Sequence, residues 1–405
     1  MKKITTLLAV IICYGATGQT SIDTSGGRYW NEIFPNVSIT SDVVYGSAVN
    51  VSQATQSLTF DWYEPVGDTV QRRPLLVFAH GGSFIYGSKT DPDVTALCTR
   101  FAKMGYACAS INYRLGTGFP IDSINAGRAV IRATQDMKAA VRFFRHNYTI
   151  GNIYRIHPDY IFAGGSSAGA FMALHLAYLD SAEAPAFLNV ATLGGLEGQS
   201  GSPGYPSNVA AVINLCGALG DSSWIQPGDI SFMSMHGDQD QTVPYGSASV
   251  VVFGIPVIPV DGSSSLHVRA NNIGVYNPLY TWWGADHVPY VAAGTASVAY
   301  MDTTIDYVKS FLRPYFGGTP VGLQTAEKEK LLLVSPNPAS DFLTLYPINP
   351  QERTDVWVSD MSGRIVLRRT LYRSEQVDVS HLSRGLYTLR YTFSDQTITR
   401  KLVLN

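Results

Sequence analysis

Charge is scarce in this chain. Asp, Glu, Lys and Arg make up 15% of its 405 residues, and the formal balance is −2. No basic stripe interrupts that neutrality, which argues against nucleic acid as a partner. Cysteine is scarcer still, with four in all. Cys13 falls in the N-terminal segment, and Cys98, Cys108 and Cys216 form neither a metal spacing nor a dense disulfide framework. No His, Cys or Asp grouping has ligand spacing, so no metal is expected. Gly164-Gly165 lacks the lysine of a phosphate-cradling loop, and nothing else calls for a cofactor. Beyond the N-terminus no apolar run approaches the ~18 residues of a membrane span. Repeats and low-complexity tracts are missing as well.

Apolar residues are plentiful at 45%, enough for a sizeable core and far from the composition of disorder. Lys2 and Lys3 precede the apolar run Leu7–Ile12, and Ala16-Thr17-Gly18 offers small residues for cleavage before Gln19. This predicts a signal peptide over 1–18. Ile12 is too bulky, just before Cys13, for a lipoprotein site.

Residues 19 to about 70 alternate polar and apolar positions, as in Leu58-Thr59-Phe60-Asp61-Trp62-Tyr63, and predict antiparallel strands at a sheet edge. From about 74 to 316 short β-rich runs (74–80, 107–113, 160–164, 209–215, 230–236, 275–282) alternate with helical periodicity near 92–104, 126–147, from 167, and 301–313. That alternation predicts an α/β fold with a mostly parallel sheet covered by helices on both faces, its chemistry beyond the carboxyl ends of the strands. Cys98 then falls on a helix and Cys108 on the next strand; a bridge and two buried thiols are both open, and buried thiols are favoured. After Phe316 the run Gly317-Gly318-Thr319-Pro320 opens a linker over 317–330. Residues 331–405 hold about seven short strand patterns and predict a small β-sandwich.

The strongest chemical signal is Gly165-Ser166-Ser167-Ala168-Gly169, between the strand Tyr160–Ala163 and a helical stretch. Strand, tight turn and helix are the context of a nucleophile elbow, with Ser167 as nucleophile. A second signal, His80-Gly81-Gly82-Ser83-Phe84, follows a strand, and its glycines leave backbone amides unobstructed for an oxyanion. His80 reads as structural rather than as the base, because it precedes the nucleophile. A third, His236-Gly237-Asp238-Gln239-Asp240, offers two acids, and the residue pattern does not choose between Asp238 and Asp240. Of the eight histidines, His287 is the best base, since it comes after the acid and ends the last strand. Phe84, Tyr86, Trp224, Trp282, Trp283 and Tyr290 fit an aromatic substrate rim or, equally, the core. Phe84, Tyr86 and Trp283 are the substrate-binding candidates.

Together these residues resemble the esterase/lipase branch of the α/β-hydrolase superfamily, close to carboxylesterases and hormone-sensitive-lipase-like enzymes. The likeness covers about 40–315 and includes Asp61-Trp62-Tyr63, Phe78–Phe84, Asn112-Tyr113-Arg114, Asp136–Phe144 and His236-Gly237 with Asp240 and Val243-Pro244. It implies a Ser167–Asp240–His287 triad, oxyanion amides at Gly82, Ser83 and Ala168, and an ester substrate, small or polymeric. Many relatives carry a glycine where Ser83 stands. The tail, with Ser335-Pro336-Asn337-Pro338, Met361-Ser362-Gly363-Arg364 and Leu382–Tyr387, resembles the sorting domain of the type IX secretion system. It implies passage through the outer membrane by that machinery. A serine peptidase would use the same triad, but little chain precedes residue 74 to build a capping domain. A non-catalytic binding protein on this scaffold usually loses a triad member.

Overall fold

The computed structural model describes residues 22–252, 254–291, 295–316, 332–335, 339–347, 353–372, 375–393 and 396–404. The expected signal peptide (1–18) and linker (317–330) lie outside the described residues.

Strands β1 (Val37–Val49) and β2 (Thr55–Pro65) form an antiparallel pair. Then β3 (Arg73–Ala79), helix α1 (Pro92–Lys103), β4 (Ala107–Ile111), α2 (Ser123–Thr149), β5 (Ile156–Ser166) and α3 (Ala168–Tyr178) alternate. They are followed by β6 (Ala211–Leu215), the short β7 (Ala218–Leu219), β8 (Phe232–Gly237), β9 (Ser247–Val252), β10 (Ile255–Gly262), α4 (Ser263–Ile273), β11 (Leu279–Trp282) and α5 (Thr295–Leu312). One eight-stranded sheet runs β1-β2-β4-β3-β5-β6-β8-β11. β2 is antiparallel to its neighbours, and every pairing from β4 onward is parallel. This is the α/β-hydrolase arrangement.

Sequence periodicity explains the layers. Along β3 the side chains alternate between two cores: Leu75, Val77 and Ala79 pack with α2, α3 and α4, while Leu76 and Phe78 pack with α1 and α5. Every residue of β3 is buried, which is why it reads as one apolar run rather than an alternation. Just past β4, Arg114 donates to both oxygens of the fully buried Asp136 on α2, and its backbone amide adds a third bond at 2.8 Å. Cys98 on α1, Cys108 on β4 and Cys216 are free and buried, so no bridge forms. No helix among the described residues is long and apolar enough to cross a membrane.

The sequence reading passed directly from the strand at 230–236 to that at 275–282. The structure inserts the β9–β10 hairpin and α4 there. Pro256 and Pro259 lie inside β10, and Ser263-Ser264-Ser265 opens α4; both are residue types that read as turn.

In the C-terminal region β12 (Leu332–Ser335), β13 (Phe342–Pro347) and β16 (Glu375–Asp378) form a three-stranded sheet. β15 (Ile365–Leu371), β14 (Thr354–Ser359), β17 (Gly385–Phe393) and β18 (Gln396–Leu404) form a four-stranded one. Their inward residues, including Leu343, Leu345, Val356, Val358, Leu389 and Tyr391, make a separate core. This is a small β-sandwich, with strands where the seven patterns fell.

Candidate active site

The turn between β5 and α3 is a single residue. Ser167 stands there at φ 52°, ψ −117°, a backbone that costs a non-glycine residue about 1–3 kcal/mol and persists only where its surroundings enforce it. Gly165 and Gly169 let the turn pack this closely, because a Cβ at either would collide with the Ala79 carbonyl of β3. Gly169→Ala should therefore cost at least about 1–3 kcal/mol of stability, the range for overpacking. Thermal unfolding checks this, and an unchanged melting temperature would contradict it. Ser167 donates its amide to Leu215 O at 2.8 Å, which keeps its hydroxyl at the sheet's carboxyl edge. The neighbouring Ser166 hydroxyl is engaged by the Tyr290 hydroxyl at 2.7 Å in the core.

His287 follows β11, and its Nε2 lies 2.9 Å from Ser167 Oγ. Its Nδ1 lies 2.6 Å from Asp240 Oδ2. With Nδ1–H donated to the carboxylate, Nε2 is left to accept the serine proton. Asp240 Oδ1 accepts the amides of Thr242 and Val243, each at 2.8 Å. Burial alone would raise the Asp240 pKa, but the hydrogen bonds from His236 and His287 outweigh it and hold the carboxyl far below the usual range. Asp238 does something else: its carboxylate takes the Gly284 amide. Asp286 accepts the amides of Gln241 at 2.9 Å and His287 at 2.7 Å, tying the two loops together.

One participant escaped the sequence reading. His236, next to last in β8, is fully buried, and its Nε2 lies 3.1 Å from the same Asp240 Oδ2 and 3.1 Å from the Val243 carbonyl oxygen. Two acceptors at Nε2, a carboxylate and a carbonyl, fix its tautomer. Asn214 Nδ2 donates to Ser263 Oγ at 3.1 Å, and that hydroxyl is 2.8 Å from His236 Nδ1. Nδ1 therefore accepts from that hydroxyl, and Nε2–H faces both the carboxylate and the Val243 carbonyl. The signal was its position four residues before Asp240, which marked the motif without assigning it a contact. His236→Leu should lower kcat about 10- to 100-fold, the weight of one hydrogen bond to a charged group. KM should change little, and His236→Gln, which keeps a donor, should recover part of the loss in steady-state assays. His80 lies elsewhere: its ring stacks on Tyr113 (centroids 4.4 Å apart), and Nδ1 donates to Gly81 O at 2.7 Å.

The loop after β3 approaches Ser167 closely, since a Cβ on Gly81 would lie 3.3 Å from that of Ser167. Gly82, Ser83 and Phe84 take φ of 105°, 53° and 61°, and the Gly82 carbonyl accepts the amides of Ile85 (2.9 Å) and Tyr86 (3.1 Å). Among the described contacts, no acceptor takes the amides of Gly82 or Ser83. Ala168 opens α3, where a helix leaves its N–H groups unpaired.

A cavity of about 560 Å³, open solvent at its mouth included, lies beside Ser167. Phe84 is on its wall. Tyr86 and Trp283 are not among the residues that line it. The turn closed by the Gly82 carbonyl leaves Tyr86 59% exposed, and Trp283 lies past the end of β11, outside the cavity lining. Trp282 and Tyr290 are core, 5.6 Å apart ring to ring, and Trp224 packs edge-on against His175. Cys216, Asp240 and His287 bring potential ligand atoms within 4.8 Å of one another. The carboxylate oxygens there are already taken by two amides and two imidazoles, and burial pushes the Cys216 thiol up, so the group reads as a hydrogen-bonded set rather than a metal site.

Residues 60–220 match the BD-FAE family model, and residues 333–405 match that of the secretion system C-terminal sorting domain. Among curated proteins, Esterase LipQ of Mycobacterium tuberculosis is 29% identical over 136 residues, 33% of this chain. The chain spans 28% of that relative's length. Among solved structures, esterase 2 of Thermogutta terrifontis, phosphonylated by sarin, superposes with a TM-score of 0.50 at 20% identity, covering 70% of this chain and 96% of that one. The same esterase phosphorylated by paraoxon gives 0.49 at 21% identity, covering 70% and 96%. The likeness at 0.50 concerns the fold. The match to the sorting-domain model marks a secreted or cell-surface protein.

Proposed function

We propose, for an α/β-hydrolase that ends in a secretion-system sorting domain, that it is a serine carboxylic ester hydrolase working through Ser167, His287 and Asp240. The observation that carries this reading is the 2.9 Å approach of His287 Nε2 to the Ser167 hydroxyl, backed by the 2.6 Å bond to Asp240. Esterase LipQ and the Thermogutta enzyme, both named as esterases, support it.

Ser167 Oγ attacks the ester carbonyl carbon while its proton passes to His287 Nε2. The amides of Gly82, Ser83 and Ala168 hold the oxyanion, in the place where charge develops. The C–O bond to the alcohol breaks, and the alcohol leaves with the proton from His287. Water then adds to the acyl-enzyme, giving one proton to His287. The acid is released, and Ser167 regains its proton. Asp240 keeps Nδ1–H in place and stabilises the imidazolium. The same reading divides the chain into a leader (1–18), a catalytic unit (19–316), a linker (317–330) and a sorting sandwich (331–405).

The test is hydrolysis of p-nitrophenyl acetate, together with stoichiometric labelling by a small organophosphate. Mass spectrometry should place the label on the peptide that holds Ser167. A protein that neither hydrolyses the ester nor takes the label is not a serine esterase.

A further inference from the structure

Strand β6 carries no member of the triad, yet it lies between β5, which ends at the Ser167 turn, and β8, which leads into the Asp240 loop. Leu215, its last residue, accepts the Ser167 amide at 2.8 Å. Cys216 follows at φ 56°, a backbone uncommon for any residue but glycine. The turn is held by two bonds. Cys216 N donates to Met235 O of β8 at 2.8 Å, and Gly217 N donates to the buried Asn214 side chain at 2.9 Å. The Cys216 thiol is fully buried behind the site.

Three donors converge on its sulfur: the amide of Gly237 at the end of β8, the amide of Val288, and the hydroxyl of Tyr290. Cys216 Sγ also lies within 4.8 Å of an Asp240 carboxylate oxygen and a His287 ring nitrogen. Val288 directly follows His287 and stands at φ 43°, an outlier for a β-branched residue that persists only where its surroundings hold it. On the other side of His287, Asp286 Oδ1 accepts the His287 amide at 2.7 Å. The base is thus gripped from both sides, by a carboxylate near the surface and a sulfur in the core. Tyr290 in turn meets Ser166 Oγ at 2.7 Å. The thiol itself takes no part in the chemistry. Burial pushes its pKa up, so it stays uncharged. It is also absent from the cavity lining, one wall of which is the β9–β10 hairpin with Val250, Val252, Val257 and Ile258.

We infer that Cys216 is a positioning residue, whose sulfur fixes the backbone just after His287 and so keeps Nε2 aligned on the Ser167 hydroxyl. This rests on the reading of Ser167 as nucleophile and His287 as base. A sulfur suits the task because its long bond to Cβ and large radius let one atom receive amides from two loops. The gain is in turnover, since a base displaced by about 1 Å costs on the order of 100-fold in rate.

The experiment uses the full chain, with p-nitrophenyl acetate as substrate and a small organophosphate to count active sites and time their labelling. Cys216→Ala removes the acceptor and should lower kcat about 10- to 100-fold with KM little changed. The labelling rate per site should fall in parallel, because His287 activates Ser167 in both reactions. A merely structural loss would lower the number of sites that label and leave the rate at each one unchanged. Cys216→Ser keeps an acceptor of shorter reach and should recover part of the loss. Cys98→Ala removes an equally buried thiol from α1 and should leave kcat unchanged. A folded Cys216→Ala protein overturns the positioning role, and leaves the nucleophile standing, if its kcat falls less than about tenfold, if KM rises instead, or if Cys216→Ser is no better. Should the alanine variant not fold, Tyr290→Phe decides: it strips one partner from the sulfur and should fall below Ser166→Ala, which loses only the other bond of that hydroxyl. Parity of those two overturns the role. A wild-type protein that neither labels nor hydrolyses acetate overturns the nucleophile and the positioning role with it.

Discussion

Ser167→Ala should lower kcat on the order of 10⁶-fold, the scale seen when a triad nucleophile is removed, while leaving the melting temperature within a few degrees. The two halves have separate causes. The hydroxyl's one described partner is His287, and it makes no capping bond to α3, so its removal opens no unsatisfied core group. The close packing of the turn against the Ala79 carbonyl, which Gly165 and Gly169 permit, is unchanged in the variant. Steady-state kinetics beside calorimetry checks both. Ser166→Ala is the control: its hydroxyl is held by Tyr290, and it should retain activity within about tenfold. A residual rate near wild type in the Ser167 variant would place the nucleophile elsewhere.

Asp240→Asn should lower kcat by about 10⁴-fold, and the donor geometry says why an isosteric change is so damaging. One oxygen accepts two backbone amides, and the other accepts two imidazoles. An asparagine must present its NH₂ to one of these pairs. The backbone amides cannot turn into acceptors, so the NH₂ faces the histidines. His287 Nδ1 then has to accept, its proton moves to Nε2, and the base aimed at Ser167 is lost. Asp238→Asn, at a carboxylate that takes the Gly284 amide, should stay within a few-fold.

The same variant changes acid stability. Asp240's folded pKa is depressed, so the stabilisation is complete above its unfolded pKa of about 3.9 and is lost as pH falls through the folded value. Between pH 5 and 2.5 the wild type should lose more stability than Asp240→Asn. Urea melts at the two pH values measure this, and equal losses would show that the charge is not held by the two imidazoles.

Legibility followed distance along the chain. The elbow spans five residues, Gly165 to Gly169, and each reports a local requirement: a tight turn, close approach to a strand, a helix start. Strand–helix alternation carried the sheet and its two coverings, because burial on both faces of β3 leaves a continuous apolar run. Chain order singled out His287 among the histidines, but the choice between Asp238 and Asp240 lay beyond local pattern. Both occupy one loop, and only the fold decides which faces an imidazole and which takes the Gly284 amide.

By itself, then, the sequence determined the layer architecture, the tight turn at Ser167 and the sorting tail. These rest on short-range periodicity, glycine sterics and a tail-long motif. Tertiary structure alone decided that His236 shares the carboxylate of Asp240, that Tyr86 and Trp283 stand off the cavity, and that an unforeseen hairpin walls it. Those contacts join residues tens of positions apart, or reverse the local preferences of Ser and Pro. They come into being only when packing brings the carboxyl ends of β3, β5, β8 and β11 to one edge.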